Sequence, residues 1–358
     1  MVIRYVTSLT YPSALANAGQ TIKMAEAFAQ SIDTELWVSE MRVTREDIWQ
    51  RYALKKNFPI IAVGRPYFFV WPKSLLLAWR FRAPIQNAPD DTCFYVRDVA
   101  LAFFLLITSK KFRQHFVFEC HSLGKMPSFV YRIIFSFAHG IVSTNEEKKK
   151  RISAQYGVTE ALILVAPNGF DLRLFEELPS REDAREALAI PQNKQVVLYA
   201  GSMQSWKGTD IIPALASQLP EMLFFVVGGP FDEERGNIRM VSAKPYAVIP
   251  RYLRAADVLI APYKDDNERG RMLFSPLKLF EYMASGTPVV ATDLPALREI
   301  ASDADIYFVE KPTATLFVEG IRSALRDKSR ATYARDHINK YSWLNRALFV
   351  SEFLRGII

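Results

Sequence analysis

Gln195-Val196-Val197-Leu198-Tyr199-Ala200-Gly201-Ser202-Met203-Gln204-Ser205-Trp206-Lys207-Gly208 opens with an apolar run, enters a glycine and leads towards a helical stretch. A short continuous apolar run bounded by turn residues suits a strand covered on both faces, as strands of a parallel sheet are. The same pattern recurs at residues 222–229, 247–249, 257–261, 287–291 and 306–308, with longer amphipathic stretches between most of them. Strands alternating with helices predict βαβ units and a parallel sheet.

An earlier series has the same grammar. Strands are expected at Ile3-Tyr5-Val6 and at 34–38, 60–63, 93–96, 116–119, 140–142 and 163–165. The clearest helix between them is 19–30, where Ile22, Ala25, Glu26 and Ala29 follow helical spacing. Two series imply two separate parallel sheets, and 358 residues exceed what one hydrophobic core usually organises. The linker is placed at Pro167-Asn168-Gly169-Phe170-Asp171 and the charged, helix-forming stretch 180–189. No internal repeat is visible.

Composition narrows the class. The chain is 50% apolar and 23% charged, which is globular and not disordered. Cys93 and Cys120 stand far apart with no Cys/His cluster, so neither a disulfide scaffold nor a zinc signature is present. No run approaches the roughly 18 apolar residues of a spanning helix. The first residues read as a buried strand and not as a signal peptide, and the expected location is cytoplasmic. Residues 1–171 carry 21 Lys and Arg against 14 Asp and Glu, whereas 172–358 carry 24 of each. Between Trp49 and Pro89, Arg51, Lys55, Lys56, Arg65, Lys73, Arg80 and Arg82 stand among nine aromatics with no acid. That segment is either an anion-facing surface or a solvated basic face with its aromatics turned inward.

Two segments hold the chemistry. In 201–208 the backbone N–H groups and Lys207 are placed to meet an anion at a helix amino terminus; an ordinary strand-to-helix turn with an exposed lysine is the alternative. Neither the GxxxxGK[ST] nor the GxGxxG spacing is present. Ser275-Pro276-Leu277-Lys278-Leu279-Phe280-Glu281-Tyr282-Met283-Ala284-Ser285-Gly286 predicts a helix capped by Ser275, with Pro276 in its first turn and Gly286 ending it. Glu281 falls among apolar neighbours, and an enclosed carboxylate needs donors. Local backbone and ligand hydroxyls, such as a ribose diol, are both suitable.

At these residues the sequence resembles the retaining glycosyltransferases of family four (glycosyl transferases group 1), whose GT-B fold has two facing Rossmann-like domains. Tyr11-Pro12-Ser13 with 16–20, Phe118-Glu119-Cys120-His121, Pro167-Asn168-Gly169-Phe170-Asp171, the 199–208 loop, 226–230, 255–263, 275–292 and Tyr341-Ser342-Trp343 follow the family's order over nearly the whole chain. Two positions depart from the pattern. Leu273 stands eight residues before Glu281, where the family often has a first glutamate, and Ser202 takes the place of an arginine in the phosphate loop.

The resemblance implies an acceptor-side domain at 1–171, a nucleotide-sugar domain at 172–335 and a helix at 336–358 that crosses back to the first. It implies transfer of a sugar from a nucleoside diphosphate donor, of UDP or GDP type, with retention and without a metal, to a glycan, lipid-linked or other anionic acceptor. Lys207 and backbone N–H groups near Gly19, Gly201, Ser202 and Leu277 would face the diphosphate, with Ser275 and Pro276 opening that helix. Lys278 would supply part of the positive charge that Ser202 lacks. Glu281 would hold the ribose, backbone near Pro250 and Arg251 the base, and His121 the sugar or the acceptor; His121, Lys207 and Glu281 would be catalytic. An anionic membrane surface at the inner face is a further expected partner, and nucleic acid is not. The alternatives are a catalytically silent GT-B subunit bound to an active partner, and a nucleotide-sugar epimerase or phosphorylase. Asp265-Asp266 reads as a solvated loop, and His115, His139 and His337 as structural or surface residues.

Overall fold

Seven short apolar segments of the first half form one parallel sheet: β1 (Val2–Val6), β2 (Thr34–Val38), β3 (Ile60–Ala62), β4 (Thr92–Val96), β5 (Phe116–Cys120), β6 (Gly140–Ser143) and β7 (Ile163–Val165), in the order β3-β2-β1-β4-β5-β6-β7. The computed structural model describes residues 1–13, 15–55, 57–64, 73–266 and 274–358. The chain divides into two units, Met1–Asn168 with Trp343–Ile358, and Gly169–Ser342. The first division falls three residues before the expected boundary. The segment that joins the first unit starts at Trp343, seven residues later than expected.

In the first unit, α2 (Lys73–Asn87), α3 (Val99–Thr108) and α4 (Ser128–Phe137) bury Phe81, Leu105 and Ile134 in a core with Phe94, Phe116 and Phe118 of the sheet. The helix α1 (Ala16–Phe28) packs against the last helix of the chain, α8 (Trp343–Ile357). Strand order reverses between β1 and β4, paired up to Val6 and Val96. Ligands of open α/β sheets bind outside the carboxyl ends of strands at such a reversal.

The second unit repeats the arrangement with β8 (Val196–Ala200), β9 (Leu223–Gly229), β10 (Glu233–Arg235), β11 (Ile238–Ser242), β12 (Val258–Ala261), β13 (Val289–Thr292) and β14 (Tyr307–Val309), ordered β10-β11-β9-β8-β12-β13-β14. Only β10 is antiparallel, as an exposed edge. Its reversal lies between β8 and β12. Phe170 and Ser342 form a β-bridge, so the chain enters and leaves this unit at one point.

One expected strand is corrected. Residues 247–249 belong to a 3-10 turn, Tyr246–Val248, leading into α5 (Ile249–Ala255), because Pro250 in the first helical turn lacks only an N–H that no helix would use there. The strand in that sheet position is β11, whose Arg239 interrupts the apolar run and hides it.

A buried ion pair anchors the unit. Arg185, only 2% exposed, donates from Nη2 to Asp257 Oδ2 at 2.6 Å and from Nε to the Ala255 carbonyl at 2.9 Å, and the Val196 N–H donates to the same carboxylate oxygen at 2.8 Å. Arg181, partly exposed, donates from Nη1 to the other oxygen at 2.5 Å, so removing Arg185 leaves Asp257 without its buried partner and paired only from the surface side. Arg185→Leu is therefore expected to destabilise the second unit by about 3 kcal/mol, read from denaturant midpoints; a loss below about 1 kcal/mol contradicts this role.

Candidate functional site

The 201–208 loop is closed by backbone contact. Gly208 has φ +68°, and a Cβ there would stand 1.6 Å from the Pro262 carbonyl oxygen, so the loop lies directly on the end of β12. Trp206 stacks on Tyr263 with centroids 5.5 Å apart and meets Phe274 edge-on. This places Lys207, whose Nζ donates to Ser202 Oγ at 2.6 Å. Burial holds the Lys207 ammonium below the ordinary lysine range. The expectation of a helix amino terminus here is corrected. Ser205–Lys207 is a 3-10 turn, a second one spans Thr209–Ile211, and the α-helix begins only at Ile212.

The second cation comes from α6 (Leu277–Ala284). Pro276 occupies the cap position with no side-chain hydrogen bond, so Ser275 is not the cap; Gly286, at φ +66°, follows the Ser285 C-cap as expected. The hydroxyl of Tyr282 is fixed to the end of β8, 2.7 Å from the Ala200 nitrogen and 3.2 Å from its oxygen. One turn earlier, Lys278 is 8% exposed, and its Nζ has no hydrogen-bond partner among the described residues. The ammonium stands 3.7 Å from the centroid of the Tyr199 ring and 5.2 Å from that of Tyr263. A Cβ on Gly201, at φ +139°, would lie 3.2 Å from it. Burial, then the nearby Lys207 charge, pushes the Lys278 pKa well below that of a free lysine, with Glu281 opposing. Two lysines of depressed pKa thus stand together beside a strand-order reversal, the place where open α/β sheets bind ligands.

Glu281 is half-buried on the same helix. Burial raises its carboxyl to about 7, against a hydrogen bond from Tyr246 and the charge of Lys278. Tyr246 also meets the backbone of Asp171. The partner of Glu281 is thus a tyrosine hydroxyl and not local backbone. Pro250 is buried and Arg251 exposed in the first turn of α5, directly after Tyr246–Val248.

In the first unit, His121 follows β5 and lies beside Glu119, with Nε2 3.1 Å from Oε1. Burial and then Arg97 lower the imidazole to about 3, so it is neutral at physiological pH. Gly19 lies within α1, which starts at Ala16; the unsatisfied amides of a helix precede its fourth residue, so its own N–H is used by the helix. Arg97, which the sequence did not mark, holds Gln20 Oε1 at 2.9 Å and Thr21 Oγ1 at 3.4 Å. Asp98 accepts from the Thr7 hydroxyl and the Ser8 N–H.

Leu273, and in the basic segment Lys56, Arg65, Tyr67, Phe68, Phe69 and Trp71, lie outside the described residues. Among the described residues no group of three or more His, Cys, Asp and Glu is placed to hold a metal ion, and no helix is long and apolar enough to cross a membrane. The rings of His115 and His139 lie 5.9 Å apart and are tilted by 46°, while His337 Nδ1 is 2.9 Å from Asp305 Oδ1.

Residues 180–342 match the model of the glycosyl transferases group 1 family. The second unit belongs to the glycosyl transferases group 1 family. The group 1 match begins at the Ser180 cap of a helix and ends where that unit ends. The D-inositol 3-phosphate glycosyltransferase of Corynebacterium urealyticum is 28% identical over 246 residues, 61% of this chain and 56% of that protein. The chain spans about half the length of the curated relatives it matches. Over the whole chain the fold is GT-B. Anabaena HepE in complex with UDP superposes with a TM-score of 0.77 at 16% identity, covering 99% of this chain and 100% of that one. Sucrose-phosphate synthase from Thermosynechococcus elongatus gives 0.75 at 16% identity, covering 99% and 98%.

The raised Glu281 carboxyl has a consequence for stability. The folded protein holds this proton to a higher pH than the unfolded chain does, so the associated stability is present below the ordinary glutamate range and is lost as pH rises through about 7. Glu281→Gln, which keeps an acceptor for Tyr246 without the charge, should melt above the parent protein at about pH 8.5 and with it at about pH 4.5. Equal shifts at both values contradict the assignment.

Proposed function

We propose that this protein is a retaining glycosyltransferase that moves a sugar from a nucleoside diphosphate donor, with a uridine nucleotide as the first candidate, to an anionic or lipid-linked acceptor. The observation that carries the reading is the buried ammonium of Lys278 beside Lys207, with no hydrogen-bond partner among the described residues. Bond cleavage builds negative charge on the diphosphate, and fixed cations in a site of low dielectric stabilise it. Lys207 and Lys278 face the diphosphate, with the amides at Gly201, Ser202 and Leu277. Lys278 takes the role of the arginine that Ser202 replaces. Glu281, charged once ribose hydroxyls donate to it, holds the nucleoside, and backbone at Pro250 and Arg251 lies beside the base. His121, neutral, accepts from a hydroxyl of the sugar or acceptor.

Uridine is favoured because HepE, of like fold, is bound to UDP and to UDP-glucose in its crystals. An anionic acceptor is supported by the basic first unit and by relatives named for transfer to inositol 3-phosphate. Trp79, Ile107 and Phe129 are exposed on α2, α3 and α4, and Arg82 is exposed on α2. Cations and aromatics on one layer suit an anionic membrane surface, and salt-sensitive binding to phosphatidylglycerol vesicles, lost in Trp79→Ala, is the expected behaviour.

Ligand that binds only the folded protein raises its apparent stability with saturation. UDP should raise the melting temperature more than GDP or ADP. Lys207→Ala, Lys278→Met and Glu281→Ala should each weaken UDP binding by about 10- to 100-fold, as expected for a lost charge-assisted hydrogen bond. No stabilisation by any nucleotide at millimolar concentration would overturn the donor assignment and favour the silent subunit.

A further inference from the structure

Glu119 is the penultimate residue of an otherwise apolar strand, Phe116–Cys120, and is 2% exposed. Its oxygens are fully engaged. Oε2 accepts from the Tyr5 hydroxyl at 2.6 Å, and Oε1 accepts from Arg346 Nη2 at 2.6 Å. Burial alone would raise this carboxyl, but the Arg346 guanidinium beside it, with Arg97 adding, holds it well below the ordinary range, so it is an anion. Arg346 lies on α8, the helix that follows the whole second unit. Its Nε donates to the Pro167 carbonyl at 2.8 Å, and Nη1 stands 3.1 Å from Met24 Sδ of α1. One guanidinium therefore joins α8, α1, the end of the first unit's main segment and the strand that presents His121.

The imidazole is the group this arrangement governs. Nε2 of His121 stands 3.1 Å from Glu119 Oε1, although the ring is turned off the line of a good hydrogen bond. A bare nitrogen lone pair at that distance from an anionic oxygen would be repelled, so Nε2 carries the proton. Burial, then the charges of Arg97 and Arg346, opposes a second proton on the ring more than Glu119 favours it. Tyr5 and Tyr95, whose pKa values burial raises well above the ordinary range, are neutral.

We propose that Arg346 and Glu119 are positioning residues that hold His121 in a single tautomer, with Nε2 protonated towards Glu119 and Nδ1 left as the acceptor. The proposal rests on the reading of His121 as the residue that meets sugar or acceptor. It adds that a residue at position 346, on the far side of the second unit in sequence, decides which ring nitrogen offers a lone pair. An orienting carboxylate acts in this way on the histidine of a hydrolytic triad.

The decisive experiment is ¹⁵N NMR of the ring nitrogens in the full chain labelled at its four histidines, with His121→Gln to assign the signal. A protonated Nε2 and bare Nδ1, unchanged from about pH 5 to pH 9, is the expected result. A protonated Nδ1, a tautomer mixture, or titration in that range overturns the proposal. Glu119→Gln should keep the tautomer, because Arg346 donates only and orients the amide oxygen towards itself and the ring. The double variant Glu119→Gln, Arg346→Met buries no unpaired charge and should lose the single tautomer; retention there also overturns the proposal. For UDP release from UDP-glucose, the double variant should lower kcat by about 100-fold with UDP affinity within about twofold; an unchanged kcat counts against the positioning role. Absence of turnover in the parent protein would overturn the glycosyltransferase reading while the tautomer result stands independently.

Discussion

The carboxyl edge of the second sheet is set by a backbone approach that excludes a β-carbon. Gly208 rests on the Pro262 carbonyl, and this contact folds the 201–208 loop back over the end of β12. Trp206 then reaches Tyr263, and Lys207 turns towards Ser202. From the other side Tyr282 ties α6 to Ala200, which fixes where Lys278 must go. The place left for its ammonium is the face of Tyr199, against the Cα of Gly201. Packing, and not attraction between partners, brings the two like charges together. Such an arrangement is unfavourable for stability and is expected where a ligand anion completes it.

The two units treat charge in opposite ways. In the first, the anion Glu119 is matched by Arg346 and Tyr5, and the adjacent histidine is kept neutral. That is an environment for accepting and directing hydrogen bonds. In the second, the Lys278 ammonium has no hydrogen-bond partner among the described residues, and the carboxyl beside it is half-protonated near neutral pH. That is an environment waiting for negative charge.

Much of this was legible in the sequence. Buried parallel strands are continuous apolar runs, so β1 to β9 and β12 to β14 could be read directly. The strand β11, next to the edge, could not, because Arg239 and Ser242 look like loop residues until Leu188 and Ala189 carbonyls accept from the arginine. The stretch 247–249 misled because three apolar residues fit a strand as well as a helix start, and Pro250 was the discriminating residue. Lys207, Lys278 and Glu281 were marked by their segments. Tyr246 was not, since it reaches Glu281 from a 3-10 turn whose next residues, 247–249, read as a strand. Arg346 carried no local sign. The signal that pointed to it was a lone acid, Glu119, in the apolar strand Phe116–Cys120, which requires a cation from somewhere in the fold.

A crystal structure of the full chain with UDP tests the central claim most directly. The account predicts diphosphate oxygens within about 3 Å of both Lys207 and Lys278 Nζ, with the ribose diol donating to Glu281 in place of, or beside, Tyr246. A nucleotide bound elsewhere, or one bound here while the Lys278 ammonium stays on the Tyr199 ring with no oxygen partner, would contradict it.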